Sequence, residues 1–508
     1  MNQAKGISWW DFEDESNPIR ILEDTHQKKY IISYLSGAGA KTILVEENYF
    51  DRDYLDEFSS FYSRVARGYK NVCKRLHIFG PNKTNIDGFL ESLNTNDEES
   101  VIQNNYLGFI VLRPIRSAPF GRTVLALYPD KTPETPRITK PARTYHVHIA
   151  GLRLSVKGLA WQQQDTGVAA CATIGLWTMF HSSALDDHHA IPTTAEITTS
   201  AEEFGARAFP SKGMTSNQIL EAIHRQDFNP VAVSGDIKDD NGVVLGFSKK
   251  RFSVNCLSFV RSGYPVLLLG HNGVGGHAIC IVGARENQVD ENNEESICAE
   301  DDNSFHFYVH DDNYGPNIRF FLQENDGIAY LRADPPEYVG LKYPDKSTCF
   351  KPVTLVVASN KDIRINADDL YLKGEQCAQV IFSVLSMIME ANGQQPIPLI
   401  FNARFMLLRD YMGEGLAQVV QPAILGRTRL EIHENALPMS LHIGVARIAL
   451  RDGSVICDII HDTTDSSRNM SVFVSVIYEK ALFDCLNSID PQARIGIGLS
   501  ETLVPAFE

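Results

Sequence analysis

Apolar residues recur along the first 154 residues at two different spacings. Steps of three and four join seven of them, which predicts one long helix with a single buried face: Leu55, Phe58, Tyr62, Val65, Tyr69, Val72 and Leu76. Short apolar runs predict strands at 42–45, 106–112, 123–128 and 145–154. Prolines spaced through 129–141 predict a surface linker that cannot pair inside a sheet. Residues 1–154 therefore predict an N-terminal α/β domain with a β-rich second half.

The order of elements changes between residues 155 and 335, where helices precede strands. A short helix is predicted at 215–224, and buried strands are predicted at 265–269, 278–282 and 305–309. Between the last two strands, residues 285–303 hold eight acids against one Arg. Such a charge run is typical of a solvated hairpin insertion, with a docking arm for a basic partner as the alternative. We expect a second domain at 155–335.

The remainder, 345–508, predicts a third domain, again of α/β type. Its residues 377–389 have a helical pattern, and apolar runs at 446–450 and 454–460 flank Asp452-Gly453. An Asp-Gly pair between two such runs is a strong signal for a hairpin. The whole chain is expected to be of the α+β class.

Composition and charge narrow the classes of function. The chain has 508 residues and a formal net charge of −16, which argues against nucleic acid or an anionic membrane as a partner. Its nine cysteines contain no C-x-x-C pair and lie mostly in apolar runs, as buried free thiols do in a reducing compartment. No signal peptide or membrane-length apolar stretch is visible, so we expect a cytoplasmic protein.

Cys171 is the candidate nucleophile. Ile174, Trp177 and His181 follow it at helical spacing, which predicts that Cys171 lies in the first turn of a helix with a buried face. Backbone N–H groups and the helix dipole favour a thiolate at that position. A Gln upstream could donate its side-chain amide to an oxyanion, together with the Cys171 N–H. Gln164 is nearest in sequence, and Gln162 and Gln163 are alternatives.

A thiol nucleophile needs a base and a group that orients the base. His277 follows the Gly-rich stretch 273–276 at the start of an apolar strand, whereas His271 lies within the loop and lacks a following strand. The strand at 305–309 leads into Asp311 and Asp312, and a carboxylate there could accept the second N–H of His277. Because neighbouring residues of a strand point to opposite faces, we expect only one of the two to meet His277.

These three segments, in this order, resemble the papain-like cysteine peptidase superfamily, in particular the bacteriocin-processing (double-glycine) leader peptidases and their stand-alone relatives. The resemblance covers about residues 155–335. It implies a helical lobe that bears Cys171 and a β lobe that bears His277 and Asp311, with the cleft between them. The oxyanion Gln of the family corresponds to Gln164, and the orienting Asp corresponds to Asp311. Ala172-Thr173 stands where the family usually has Gly-Pro.

The resemblance implies a bacterial cysteine peptidase that cleaves a peptide or isopeptide bond in a protein or peptide substrate. An acyl transferase would use the same residues, and a papain-fold scaffold without enzymatic activity is a third alternative. No cofactor or metal is expected, because His146 and His148 alternate on one strand face without further ligands. Cys457, His461 and Asp462 lie on one short strand end, where they could not converge as a triad. The sequence does not determine the oligomeric state.

Overall fold

The computed structural model describes residues 6–66, 68–80, 89, 101–129, 137–165, 170–185, 189–202, 213–273, 275–286, 297–299, 305–334, 349–435, 440–464 and 471–507. The chain divides into two compact units. Unit 1 comprises Met1–Phe247, Gly263–Arg285 and Phe305–Ala358, and unit 2 comprises Ser248–Ser262, Glu286–Ser304 and Ser359–Glu508. Both contain helices and sheets, so the predicted α+β class is confirmed.

Unit 1 begins with a five-stranded antiparallel sheet whose strands pair in chain order. The strands are β1 (Ile7–Asp11), β2 (Thr42–Tyr49), β3 (Cys73–Phe79), β4 (Tyr106–Leu112) and β5 (Phe120–Leu125). Three helices accompany them: α1 (His26–Gly37), α2 (Arg52–Ser60) and α3 (Val101–Asn104). β4 has the predicted bounds, and β5 begins three residues before the predicted strand.

The long helix predicted at 55–76 is wrong after Ser60. Helix α2 ends at Ser60, a 3₁₀ turn covers Tyr62–Arg64, and the chain then enters β3 at Cys73. Gly68 has φ +63°, in the left-handed region where a right-handed helix cannot continue. Leu76, the last member of the predicted stripe, is buried in the sheet because strand alternation also places it inward.

The second half of unit 1 contains a hairpin, three helices and a closed ring of strands. The hairpin is β7 (Arg143–Ile149) with β8 (Leu152–Gly158), joined at Ala150 and Gly151, which both have positive φ. The single strand predicted at 145–154 is wrong, because the tight turn at Ala150 and Gly151 divides this segment into two strands. The predicted domain boundary after residue 154 falls inside β8. The helices are α4 (Cys171–Phe180), α5 (Thr194–Glu202) and α6 (Ser216–Arg225).

Six strands of unit 1 pair in sequence, and the last of them also pairs with the first, which closes a barrel. They are β12 (Val266–His271), β13 (Gly276–Glu286), β15 (Phe305–Asp311), β16 (Gly315–Asn325), β17 (Ile328–Asp334) and β18 (Cys349–Ser359). β9 (Asn229–Ser234) extends this sheet beside β18, and β6 (Arg137–Ile138) pairs with β13. β10 (Ile237–Lys238) and β11 (Val244–Gly246) form a separate ribbon.

Unit 2 is a six-stranded sheet with a hydrophobic core on each face. Its order is β14 (Ile297–Ala299), β19 (Leu399–Leu407), β20 (His442–Leu450), β21 (Val455–Asp462), β22 (Val472–Ile477) and β23 (Leu503–Pro505), with parallel pairs at both ends. The helices are α7 (Lys249–Arg261), α8 (Ala367–Ala391), α9 (Pro422–Asn435), α10 (Lys480–Asn487) and α11 (Pro491–Gly496). One core contains Ile381 of α8, and the other contains Tyr411 and Ile432.

Several predicted features can be located against this architecture. The helix predicted at 215–224 is α6, whose N-cap Thr215 forms a capping box with Gln218. The hairpin predicted around Asp452-Gly453 joins β20 and β21. In the acidic segment 285–303, residues 287–296 and 300–303 lie outside the described residues, as do 130–136 of the Pro-rich linker. None of the described helices is long and apolar enough to cross a membrane.

Candidate active site

Cys171 is the first residue of α4, after Ala170, which caps the helix without a side-chain hydrogen bond. Cys171 is partly exposed, whereas all residues from 172 to 180 are buried. A Cβ added at Gly175 would lie 2.3 Å from Cδ1 of Leu267, so α4 packs closely against β12. The sulfur therefore lies at the N-terminal end of a fully anchored helix, where the backbone N–H groups are free and favour an anion.

His277 is the second residue of β13 and pairs with Gly270 of β12. The strand places its ring in a buried position, with 8% of the residue exposed. A Cβ at Gly275 or Gly276 would meet nothing within 4 Å. The two glycines thus leave open space on the approach to a buried imidazole.

Asp311 is the last residue of β15, where the chain turns into β16. Its backbone carbonyl accepts hydrogen bonds from the N–H of Tyr314 and from Nε1 of Trp161, the latter at 2.9 Å. Its carboxylate Oδ1 also accepts from the Asn313 N–H at 2.9 Å. Both the main chain and the side chain of Asp311 are therefore held in place.

The His277 ring lies between Cys171 and Asp311. Its Nε2 atom is 3.0 Å from Oδ1 of Asp311, and the thiol of Cys171 is hydrogen-bonded to the ring. Since Nε2 faces the carboxylate, Nδ1 is the nitrogen that remains for the thiol. This is the order of groups that a thiol nucleophile, its base and an orienting carboxylate require.

Charges around His277 favour its protonated form. Burial lowers the pKa of His277, but the charge and hydrogen bond of Asp311, the hydrogen bond of Cys171 and the charge of Asp312 together hold it well above its usual value of 6.5. The ring is therefore an imidazolium at neutral pH. A cation beside a thiol stabilises the thiolate, the form that attacks carbonyl carbon.

Both Asp311 and Asp312 approach His277, which corrects the expectation that only one could. An Oδ1 atom of Asp312 lies 3.7 Å from Nε2 of His277. Strand alternation does not apply, because Asp312 belongs to the turn and not to β15. Oδ2 of Asp312 is buried without a hydrogen-bond partner among the described residues. Burial raises the pKa of Asp312 to about 7, with His277 lowering it and Asp311 raising it.

The three consecutive glutamines have different partners. Nε2 of Gln162 donates to Oε1 of Glu57 at 2.8 Å, and both side chains of that pair are buried. The side chain of Gln163 contacts the backbone of Ser117 and Phe120. Gln164 alone of the three contacts the turn after Asp311, where its Nε2 donates to Oδ1 of Asn313 at 2.8 Å.

Asn313 lies between Gln164 and the base. Its Oδ1 accepts from Gln164, and its Nδ2 is 3.3 Å from Nε2 of His277, a contact between two donors when the ring is protonated. One N–H of the Gln164 amide is used in this bond, and the second remains for another acceptor. Our sequence reasoning did not identify Asn313. The available signal was its place two residues after Asp311, at a turn where Asn commonly bonds to nearby backbone.

Helix α1 contacts the turn between β15 and β16, which carries Asp312 and Asn313. Nε2 of Gln27 donates to the carbonyl of Asp312 at 3.3 Å, and the hydroxyl of Tyr30 donates to the carbonyl of Pro316 at 3.0 Å. A Cβ at Gly315 would lie 2.2 Å from the Tyr30 ring, so the turn can approach α1 this closely only with Gly at that position. The N-terminal part of the chain therefore helps to place Asp311.

Two groups of side chains offer potential metal ligands. Among the described residues, His277, Asp311 and Asp312 each place one potential ligand atom within 4.8 Å of the others. The hydrogen bond between His277 and Asp311 explains why these side chains lie so close together: they form an ion pair beside a thiol. His146 and His148 are exposed on β7, and Nε2 of His146 contacts Arg153 at 3.1 Å.

The comparisons with known proteins assign no family. No protein-family model matches the chain, and no curated protein sequence matches it. The geometry of the site therefore carries the functional argument.

Proposed function

We propose that the protein is a papain-like cysteine peptidase that cleaves a peptide or isopeptide bond through a thioester on Cys171. The observation that carries the proposal is the position of His277, hydrogen-bonded to the Cys171 thiol on one side and to Asp311 on the other. In this proposal α4–α6 form the helical lobe, and the barrel of β12, β13 and β15–β18 forms the β lobe.

The reaction follows from the groups in place. The thiolate of Cys171 attacks the substrate carbonyl carbon, and the oxygen takes the electron pair of the C=O bond. The Cys171 N–H and the second N–H of the Gln164 amide stabilise that oxyanion. His277 gives its proton to the departing amine, which leaves a thioester. The neutral ring then removes a proton from water, whose attack releases the acid and restores the thiolate beside a protonated His277.

The environment of the thiols supports a reducing, cytoplasmic location. The eight cysteines whose side chains the structure describes are all free, and five of them are buried. We propose a protein or peptide substrate, since Gly275 and Gly276 leave open space beside His277.

The proposal is tested by alkylation of the full-length protein with iodoacetamide between pH 5 and 9, with the site of modification located by mass spectrometry. We expect Cys171 to react below pH 7 at least tenfold faster than the other cysteines, because its thiol lies beside the His277 ring, whose protonated form favours an anionic neighbour. His277→Ala is expected to remove that advantage. A Cys171 that reacts no faster than the partly exposed Cys349 and Cys485 would contradict the proposal and favour a scaffold.

A further inference from the structure

A buried ion pair lies in unit 1 outside the proposed triad. Nη1 of Arg113 is 2.9 Å from Oε2 of Glu57, and neither side chain is more than 1% exposed. Glu57 is on α2, and Arg113 directly follows β4. A Cβ at Gly121 of β5 would lie 2.9 Å from Cγ of Arg113, so a glycine makes room for the buried arginine. Buried charges of this kind are costly unless every polar group is satisfied.

Both side chains of the pair also contact the segment that precedes Cys171, while Nη2 of Arg113 donates in addition to the Ala118 carbonyl and its Nε has no hydrogen-bond partner among the described residues. Oε1 of Glu57 accepts from Nε2 of Gln162 at 2.8 Å. Nη2 of Arg113 donates to the carbonyl of Gln163 at 2.9 Å, and Nη1 lies 3.6 Å from Oδ2 of Asp165. Three of the four residues from 162 to 165 thus contact the ion pair, and the fourth, Gln164, faces Asn313.

Helix α5 joins the same cluster. The hydroxyl of Thr194 donates to Oε1 of Glu57 at 2.6 Å, so this oxygen accepts two hydrogen bonds while Oε2 accepts from Arg113. A carboxylate that accepts three hydrogen bonds fixes its donors in one arrangement. Gln162 is therefore bound to a carboxylate of α2 that is itself held by α5.

We propose that Glu57 is a positioning residue for the oxyanion half of the site: through Gln162, with Arg113 on the Gln163 carbonyl, it holds the segment from which Gln164 donates. This inference rests on the proposed function, in which Gln164 stabilises the oxyanion. Glu57 does not touch His277 or Cys171 in the described contacts, so it acts on one half of the site and leaves the thiolate pair unaffected. Residues of the predicted N-terminal domain are then part of the catalytic arrangement.

The test separates the two halves of the site with two reagents on the full-length protein. Iodoacetamide reports the Cys171–His277 pair, because alkylation produces no oxyanion. N-acetylglycyl-glycinal, a peptide aldehyde, reports the oxyanion half: the thiolate Sγ bonds to the aldehyde carbon and the oxygen takes the C=O electron pair, so the adduct carries an oxyanion while His277 keeps its proton. The dissociation constant of this hemithioacetal is measured for the parent, Glu57→Gln, Gln164→Ala and the double variant.

We expect Glu57→Gln to alkylate within about twofold of the parent and to bind the aldehyde about tenfold more weakly, the effect of one hydrogen bond to a charged oxygen. The double variant should bind no more weakly than Gln164→Ala, because both changes act on the same contact. Gln162→Met, which removes the donor and leaves Glu57 in place, should reproduce the loss if Glu57→Gln does not fold.

Asp51→Asn is the matched control, since Asp51 caps α2 and pairs with Arg122 at 2.6 Å without contacting residues 162–165. Three outcomes would overturn the inference while the proposed function stands. The aldehyde affinity could fall equally in Asp51→Asn, the losses of affinity could add in the double variant, or the affinity could be unchanged in Glu57→Gln. A parent protein with slow alkylation of Cys171 and no aldehyde binding would overturn both.

Discussion

Asp312 lies with Oδ1 3.7 Å from Nε2 of His277, although Asp311 already holds that nitrogen at 3.0 Å. The His277 ring thus faces two buried aspartates. The shorter contact is a charge-assisted hydrogen bond, and the longer one involves a carboxyl group whose pKa burial raises to about 7, so that it is only partly ionised near neutral pH. The two aspartates should therefore contribute unequally to the reactivity of Cys171.

Asp311→Asn and Asp312→Asn measure that inequality. We expect the alkylation rate of Cys171 at pH 6.5 to fall about tenfold or more in Asp311→Asn, because a loss of one pKa unit at His277 corresponds to a factor of ten. Asp312→Asn should lower it by about threefold or less. Iodoacetamide rates across pH, followed by intact mass, give both values. If Asp312→Asn has the larger effect, Asp312 is the orienting carboxylate.

The contact between Tyr30 and Gly315 predicts how α1 supports the site. Gly315→Ala should lower the free energy of unfolding by about 1–3 kcal/mol, since its methyl group would overlap a ring that is 1% exposed. Tyr30→Phe, which removes the hydroxyl that donates to the Pro316 carbonyl, should cost about 1 kcal/mol. Urea unfolding measures both.

Gly426→Ala is the control for the first of these variants, because Gly426 lies in α9 with nothing within 4 Å of an added Cβ. It should leave stability unchanged or raise it by about 0.5–1 kcal/mol. In Gly315→Ala the alkylation rate of Cys171 should also fall, since the turn that carries Asp311 must move. An unchanged rate would mean that α1 stabilises unit 1 without placing Asp311.

His310 predicts a loss of stability in acid. Burial lowers its pKa to about 4, although the Leu159 carbonyl, which accepts from Nε2, acts in the opposite direction. The Asn317 N–H donates to Nδ1, the nitrogen that a second proton would occupy. The unfolded chain binds a proton near pH 6.5 that the folded chain does not. The contribution of neutral His310 is therefore complete above pH 6.5 and is lost as the pH falls towards 4, by about 3 kcal/mol in the limit.

His310→Gln tests this sign. The slope of the unfolding free energy against pH, measured by urea titration between pH 4.5 and 7.5, should decrease by about one proton. His146→Gln, at an exposed position on β7, should leave the slope unchanged. A slope that is the same in His310→Gln and the parent would show that His310 is protonated in the folded protein.

Much of the local structure was predictable from the chain alone. The apolar run at 106–112 is β4 with the same bounds, and Thr215 with Gln218 marks the start of α6. Cys171 was expected in a first helical turn and is the first residue of α4. These features depend on periodicity and capping within a few residues, which a single sequence contains in full.

The end of the first long helix and the choice among the three glutamines depend on contacts between distant segments. The helix predicted to 76 ends at Ser60, because residues 73–79 pair with β2 and β4. Gln164 is distinguished from Gln162 by their partners Asn313 and Glu57, which lie 149 and 105 residues away. No spacing rule specifies such partners.

The sequence by itself determined several of the elements and placed a thiol, an imidazole and a carboxylate each at the end of one of them. The tertiary structure decided that both Asp311 and Asp312 approach His277, that Asn313 lies between Gln164 and the base, and that the Glu57–Arg113 pair contacts the segment before Cys171. The physical reason is that hydrogen bonds and burial fix side chains only once distant backbones have packed, whereas local propensity acts on neighbouring residues alone.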